Sequence, residues 1–273
     1  MIIKKLNQYD YRNHEGISHS DLMIFKRSPS DLLWDKLSTI DKSKASFFDF
    51  GSAVHLSLLE QDLFNSDVLI SKYKTRSSQG FLDESNEHTG KILLTSDEHK
   101  QLTLMTESAF SHPVFKKYMD LIGDNEVSVF SEYDGLKIKC RPDRDLILSN
   151  NSIVDVKTTS NIGDWRSNQE WINPLFKFNY GLQACHYLNC CSIHYNKKIN
   201  NFVFLILSKS VSMGKYPVAV FEITRQELQE FGIWSTYEEN LKKYVECVNS
   251  NDWYATERFN FYSNKEMEIQ YDN

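Results

Sequence analysis

Two carboxylates and an amine occur at a spacing that could hold a divalent cation. Asp143 follows a proline, and twelve residues later the chain reads Asp155-Val156-Lys157. Residues 152–157 have the pattern of a buried strand, and because side chains alternate along a strand, Asp155 and Lys157 face the same way. Asp143 enters from the neighbouring predicted strand. This set predicts binding of a hard cation and activation of a water against a phosphodiester.

A second pattern lies downstream of this set. In residues 180–187, Gln183 and Tyr187 are four positions apart and would share one face of a helix. Taken alone, Asp-X-Lys is more often a surface pair, and Gln183 with Tyr187 more often a surface amide and a core tyrosine, because short motifs match by chance. Their occurrence together and in this order favours a functional site.

These segments resemble the nuclease domain of the RecE-type exonucleases (exonuclease VIII), a branch of the PD-(D/E)XK superfamily related to lambda-type and RecB-type nucleases. The resemblance runs from Glu126 to about Tyr262 and rests on residues 135–143, 153–159, 180–187 and 251–253. Residues 16–22 with Ser28-Pro29 resemble the opening helix of that family. Residues 50–56 resemble the helix that carries its histidine metal ligand.

The resemblance implies an α/β, restriction-endonuclease-like fold with a mixed central sheet flanked by helices. We expect one domain over residues 1–273, in which residues 1–122 form a helical N-terminal elaboration and residues 123–273 form the nuclease core. Helices are predicted at 17–37 with a break at Ser28-Pro29, and at 46–60, 96–121, 175–191 and 224–250. Strands are predicted at 126–133, 136–141, 144–148, 152–157, 201–209 and 216–223, and loops at 71–92 and 160–174.

The resemblance also assigns roles to the site residues. Asp143 and Asp155 are predicted ligands of Mg²⁺, with the backbone carbonyl of Val156 as a further ligand, and Mn²⁺ is expected to substitute. Lys157 would orient or deprotonate the attacking water and stabilise charge on the phosphate. Gln183 would bond the DNA backbone or a carboxylate of the site, and Tyr187 would stack on or bond to the DNA.

Two further metal ligands are less determined by the sequence. His55 matches the family histidine in its Gly-X-Ala-X-His setting, although a lone histidine beside an apolar helical stripe is usually a core residue. The family often has an acid before the Pro-Asp strand, and Glu126 matches that place best, with Glu132 as the alternative. Both glutamates lie on the same face of a regular strand, so periodicity cannot choose between them.

Two sets of residues are predicted to bind DNA. A basic set would lie beside the site, with a solvated outer face as the alternative explanation: Lys137, Lys139, Arg141 and Arg144. A second set precedes or opens the first predicted helix, where a helix N-terminus and an arginine suit a phosphate: Arg12, Ser18 and Ser20. The alternative is that Ser18 or Ser20 simply caps the helix.

Composition limits the range of functions. The net charge of −6 argues against broad nonspecific binding of nucleic acid, but it allows a nuclease with a locally basic cleft. No apolar run approaches the ~20 residues of a membrane helix, and the N-terminus lacks a signal-peptide core, so we expect a cytoplasmic protein. The five cysteines are odd in number and irregularly spaced, which predicts reduced, buried thiols.

These observations predict a Mg²⁺-dependent exodeoxyribonuclease that degrades double-stranded DNA ends in the 5′→3′ direction during recombination. The alternatives are a single-strand exonuclease or a structure-specific endonuclease of the same superfamily. A noncatalytic DNA-binding module is the alternative from another class. The resemblance further implies a ring-shaped homo-oligomer, a single-strand annealing protein as partner, and a phage or prophage recombination system.

Overall fold

The computed structural model describes residues 2, 3, 6–39, 49–167, 169 and 173–254. The first part of this chain is mainly helical. Its helices are α1 (Gln8–Asn13), α2 (His19–Arg27), α3 (Pro29–Leu37), α4 (Asp49–Leu59), α5 (Gln61–Asp67), α6 (Gln79–Glu87), α7 (Ser96–Ser111) and α8 (Pro113–Asp120). Three short strands accompany them: β1 (Ile2–Ile3), β2 (Val68–Ile70) and β3 (Ile92–Leu94), of which β2 and β3 pair in parallel.

The helices predicted at 17–37, at 96–121 and in the described part of 46–60 are confirmed. Proline at the first helical position begins both α3 and α8, because its missing N–H and fixed φ suit that position. The loop predicted over 71–92 is wrong, since α6 lies within it and β3 begins at Ile92. A single buried ring, Phe81, anchors α6 in this otherwise polar segment, with the Arg76 guanidinium 5.7 Å from the ring centroid.

The second part of the chain supplies the central sheet. Its strands are β4 (Asp124–Asn125), β5 (Ser128–Tyr133), β6 (Leu136–Cys140), β7 (Arg144–Leu146), β8 (Ser152–Thr159), β9 (Asn201–Ser208) and β10 (Val218–Thr224). Within the described residues, the main sheet has the order β10-β9-β8-β7-β4, with β8 and β9 parallel and the other pairs antiparallel. A smaller antiparallel sheet has the order β1-β5-β6.

Helices between and after these strands complete the fold. They are α9 (Ile147–Asn150), a 3-10 helix (Ile162–Arg166), α10 (Pro174–Lys177), α11 (Tyr180–His194), α12 (Arg225–Glu230) and α13 (Ile233–Ser250). The helices predicted at 175–191 and 224–250 are each divided, because Asn179 and Gly232 adopt left-handed φ angles of 54° and 69°. Of the loop predicted at 160–174, Trp165 lies in the 3-10 helix, and Trp171 lies outside the described residues.

Both faces of β8 are covered, which fixes the environment of the predicted site. Ile153 packs in a core cluster with α11 and α13, whereas Val154 and Val156 pack in a second cluster with α4, α7 and α8. A mixed sheet flanked by helices on both faces confirms the predicted α/β, restriction-endonuclease-like class. Of the N-terminal helices, α4, α7 and α8 share the second cluster with the sheet, and a single domain over residues 1–273 stays a prediction. No described helix combines the length and apolar character that crossing a membrane requires.

Candidate active site

The two predicted carboxylates and the lysine lie close together where the start of β7 runs beside β8. Asp143 precedes β7, and its Oδ2 accepts a hydrogen bond of 2.6 Å from the backbone N–H of Val156. The Nζ of Lys157 lies 2.6 Å from Oδ2 of Asp155, and their side chains are 19% and 4% exposed. The shared face of Asp155 and Lys157 is therefore present in the structure, and Asp143 reaches it from the neighbouring strand.

The other oxygen of Asp155 is held by α11. Nε2 of Gln183 donates a 2.6 Å hydrogen bond to Oδ1 of Asp155, and Gln183 is buried. Of the two roles predicted for Gln183, the structure shows the bond to a carboxylate of the site. Tyr187 is also buried, with its ring centroid 5.3 Å from His19 and 5.9 Å from Phe202. The predicted stacking of Tyr187 on DNA is therefore wrong. Helix α11 packs against β5, β6, α2 and α13, and this packing buries the ring.

Three side chains of the described residues can converge on one cation. His55 of α4, Glu126 between β4 and β5, and Asp143 each offer a ligand atom, and these atoms lie within 4.8 Å of one another. Nδ1 of His55 is 3.4 Å from Oδ2 of Asp143. Asp155 is not part of this group but lies beside it, and its two oxygens contact Lys157 and Gln183. The structure thus brings three predicted ligands together and places the fourth next to them.

The structure also separates the two candidate glutamates. Glu126 has a left-handed φ of 52°, and its backbone N–H donates to the carbonyl of Asp143 at 3.1 Å. Glu132 is exposed and lies opposite Lys137 in the β5–β6 hairpin. Glu126 is therefore the glutamate at the site. The predicted strand over 126–133 hid this difference, because β5 begins only at Ser128.

Burial and neighbouring charges shift the pKa values of the site residues. Burial, together with the Asp155 carboxylate, raises the pKa of Asp143 well above its usual range. Burial and the neighbouring Asp143 raise the pKa of Glu126 to about 8. Burial acts to lower the pKa of Lys157, but Asp155 and Asp143 outweigh it, and the net pKa is raised. A bound cation would stabilise the ionised forms of both carboxyl groups, of which Asp143 is buried and Glu126 partly buried.

The donor set fits a hard divalent metal ion. The pKa of His55 is lowered, because burial outweighs the opposing effects of the Asp155 and Glu126 carboxylates and of a hydrogen bond to the Val156 backbone. The carbonyl of Val156 as a ligand of the ion stays a prediction. Carboxylate and carbonyl oxygens suit Mg²⁺, and one imidazole among them also admits Mn²⁺.

Two of the four residues of the predicted basic set, Lys139 and Arg144, are buried. Lys139 is buried, and its Nζ donates to the carbonyls of Tyr11 and Arg12 at 3.1 and 3.0 Å and also to that of His14. Arg144 is buried, and its guanidinium donates to Asn125 Oδ1 at 2.8 Å and to the carbonyl of Leu121 at 2.6 Å. The prediction that these two residues bind DNA is therefore wrong. Both side chains donate to backbone carbonyls of other segments, and the strand pattern could not reveal these contacts.

The remaining members of that set have separate surroundings. Arg141 donates to Oε2 of Glu126 at 2.8 Å, so it orients a residue of the candidate metal site. Lys137 is exposed and pairs with Glu15 at 2.6 Å. Neither contact tests DNA binding, which stays a prediction for these two residues.

At the start of α2, the capping alternative is confirmed. Oγ of Ser18 accepts from the backbone N–H of Asp21 at 3.3 Å and donates to its carboxylate at 2.7 Å. Ser20 and Arg12 are exposed. A phosphate site at this helix start stays a prediction.

Sequence reasoning missed two residues beside Lys157. Burial, followed by the positive charge of Lys157, lowers the pKa of His19 to about 3. The ring centroid of Tyr180 lies 4.8 Å from Nζ of Lys157. Tyr180 precedes Gln183 by one turn, so the helical spacing that singled out Gln183 could also have found it. His19 gave no comparable signal beyond its place between Ser18 and Ser20.

The fold and the site define a protein of the PD-(D/E)XK superfamily. The chain belongs to the family described as PDDEXK-like domain of unknown function (DUF3799), whose model matches residues 18–260. A crystal structure from Eubacterium rectale, of a protein provisionally named an exonuclease, is similar to this chain with a TM-score of 0.64 and 17% identity. That match covers 92% of this chain and 89% of the other. At this identity the similarity shows the fold alone.

A second solved structure, of a protein named SSO0001, matches with a TM-score of 0.33 and 14% identity over 79% of this chain and 72% of that chain. That value is too low for an argument about fold or function. No curated protein matches the chain. The family match supports a nuclease of the PD-(D/E)XK superfamily without singling out its RecE-type branch.

Proposed function

We propose that this protein is a divalent-cation-dependent deoxyribonuclease whose active site is built on Asp143, Asp155 and Lys157. The observation that carries the proposal is the junction of β7 and β8. There the Asp155–Lys157 pair at 2.6 Å lies beside Asp143, and Asp143 shares a ligand cluster with His55 and Glu126. An acid-rich cluster next to a partly buried amine suits hydrolysis of a phosphodiester better than it suits structural support.

Each residue has a distinct task in this proposal. Asp143, Glu126 and His55 would hold the ion, with Asp155 and the carbonyl of Val156 adjacent to it. When bound, Mg²⁺ supplies charge neutralisation at the phosphate and lowers the pKa of a bound water. The ammonium of Lys157, fixed by Asp155, orients the attacking water and stabilises the negative charge that develops on the phosphate oxygens.

Gln183 and Arg141 keep this arrangement in place. Gln183 fixes the free oxygen of Asp155 at 2.6 Å, and Arg141 fixes one oxygen of Glu126 at 2.8 Å. Hydrogen bonds of this kind orient ligand carboxylates toward the ion. The intact set argues against the alternative of a noncatalytic DNA-binding module.

The finer function that we propose rests on the resemblance to RecE-type exonucleases. It is 5′→3′ degradation of double-stranded DNA ends, with Mg²⁺ as the ion, for strand resection in recombination. A homo-oligomeric ring and an annealing protein partner belong to the same proposal. Lys139 and Arg144 are buried and cannot line the channel of a ring, so the ring rests on the resemblance alone.

The experiment is digestion of a linear duplex labelled separately at each 5′ and 3′ end, beside a single strand and a covalently closed circle. With Mg²⁺, we expect early release of the 5′ label from linear duplex, an intact circle, and no cleavage in chelator. Early release of the 3′ label would reverse the polarity. Cleavage of the circle at the same rate would favour an endonuclease, and faster digestion of the single strand would favour a single-strand exonuclease.

A further inference from the structure

A row of two amines and two aromatic rings leads away from the candidate site at the start of α11. Nζ of Lys157 lies 4.8 Å from the ring centroid of Tyr180, and the Tyr180 ring lies 5.7 Å from that of Phe178. Nζ of Lys177 lies 5.0 Å from the Phe178 centroid. The order amine, ring, ring, amine therefore begins at the residue we place in catalysis and ends at the surface.

A second group of cations borders the same helix start. Nζ of Lys26 donates to Oδ1 of Asn179 at 2.7 Å, and Arg27 beside it is exposed. Both belong to the end of α2, which packs against α11. An open hollow of about 290 Å³ lies here, lined by Met23, Ile24, Lys26, Arg27 and Asn179.

The local chain conformation explains why these rings are presented together. Asn179 takes a left-handed φ of 54° between α10 and α11, and the turn leaves Phe178 43% exposed. Trp165 stacks on Tyr180 at 5.7 Å with an interplanar angle of 18°, so the Tyr180 ring is supported from the core side. A supported ring beside an exposed one forms a firm surface on which a flat ligand can stack.

Charge favours a polyanion at this surface. Lys177 is paired with Asp164 at 2.8 Å, so Lys26 and Arg27 supply the net positive charge. Aromatic faces combined with cations are the usual means of binding single-stranded nucleic acid, because every base can stack and every phosphate attracts a cation. The bases of an intact duplex are stacked on one another and offer no free face to a ring such as Phe178.

We propose that this surface, the α11 ridge (Lys26, Arg27, Lys177, Phe178 and Tyr180), binds single-stranded DNA next to the scissile phosphate. A base stacks on Phe178, and the neighbouring phosphates lie against Lys26 and Arg27. The inference rests on the proposed nuclease function and adds that the strand being cut is unpaired where it leaves the site.

The test measures binding of a fluorescent single-stranded oligonucleotide by anisotropy. Chelator is present so that no cleavage occurs. Phe178→Ala should weaken binding about fivefold to tenfold, as expected for loss of one stacked base. Phe110→Ala is the matched control, because Phe110 is 39% exposed on α7, which packs in the other core cluster. Binding to a blunt duplex should be the same for both variants.

A charge variant tests the phosphate contacts separately. Lys26→Gln should lower the slope of log affinity against log salt by about 0.7, the value for one phosphate contact of a single strand. Lys116→Gln is the matched control, since Lys116 is likewise exposed and has one side-chain partner, Asp120. An unchanged slope for Lys26→Gln would remove this residue from the ridge.

Three outcomes would overturn the inference. They are wild-type protein that binds no single strand, equal affinities of Phe178→Ala and Phe110→Ala, and equal weakening of single-strand and duplex binding by Phe178→Ala. Since these measurements need no catalysis, failure of this inference can be told apart from failure of the nuclease proposal. That proposal fails instead when wild-type protein cleaves no DNA with any divalent cation, whatever the ridge binds.

Discussion

Replacement of Glu126 by glutamine should stabilise the metal-free protein, and the effect should grow with pH. Glu126 is 17% exposed at its side chain, and its pKa of about 8 in the folded chain compares with an ordinary value of 4.5. Because the folded pKa is the higher one, the folded state binds more protons than the unfolded state between these values. Stability is therefore lost as the pH rises through this window.

The size of this loss follows from the shift. One pKa unit corresponds to about 1.4 kcal/mol, so the shift from 4.5 to about 8 sets a ceiling of about 5 kcal/mol above that pH. Most of the change falls below neutrality, and about 2–3 kcal/mol should be lost between about pH 5 and about pH 7. Glutamine keeps an oxygen for Arg141 but carries no charge, so Glu126→Gln should escape this loss.

The assay is urea unfolding in chelator across that pH range, with Glu132→Gln as the control because Glu132 is exposed and away from the site. We expect the stability of Glu126→Gln relative to wild type to rise by about 2–3 kcal/mol across the range. Saturating Mg²⁺ should narrow the gap, because it binds the ionised carboxylate of the wild type. Parallel pH curves for the two proteins in chelator would refute the reasoning.

Three other variants test neighbouring contacts. Lys157→Ala should slow single-turnover cleavage by about 10²–10³-fold while Mg²⁺ binding persists, because it removes charge stabilisation and not a ligand; an unchanged rate would contradict that role. Gln183→Leu should raise the Mg²⁺ concentration for half-maximal activity by about 10–100-fold, since Asp155 loses its 2.6 Å bond; an unchanged midpoint in a metal titration would show that the bond is dispensable. Lys139→Ala should lower unfolding stability by about 2–4 kcal/mol, because three carbonyls lose their donor, and it should leave the salt dependence of DNA binding unchanged; a smaller salt slope would restore Lys139 to the DNA contacts.

The fold could be predicted from the family resemblance, and the relative placement of Asp155, Lys157 and Gln183 follows from short-range patterns. Alternation within 152–157 placed Asp155 and Lys157 on one face, and the four-residue spacing placed Gln183 and Tyr187 on one face of a helix, from which Gln183 reaches Asp155. Their roles in catalysis stay predictions. The breaks at Asn179 and Gly232 were missed because apolar periodicity continues on both sides of each left-handed residue.

The basic residues could not be placed from the sequence for a different reason. The sequence placed Lys139 in a predicted strand, but it could not show that the end of α1 covers this residue. The carbonyls that bind Lys139 come from residues 11, 12 and 14, more than a hundred positions away. Contacts of this separation depend on tertiary packing, and the same applies to Lys26, whose partner Asn179 is 153 residues distant.

The measurement that tests the central claim most directly is the single-turnover rate of DNA hydrolysis by wild type and Asp143→Asn, each with Mg²⁺ and with chelator. Asp143 joins the ligand cluster to β8 through its bond to the Val156 N–H, so asparagine keeps the shape and removes the charge. The account predicts hydrolysis only by wild type with Mg²⁺, and a loss of at least about 10²-fold in the folded variant. Hydrolysis by wild type in chelator, or by Asp143→Asn at the wild-type rate, would contradict it.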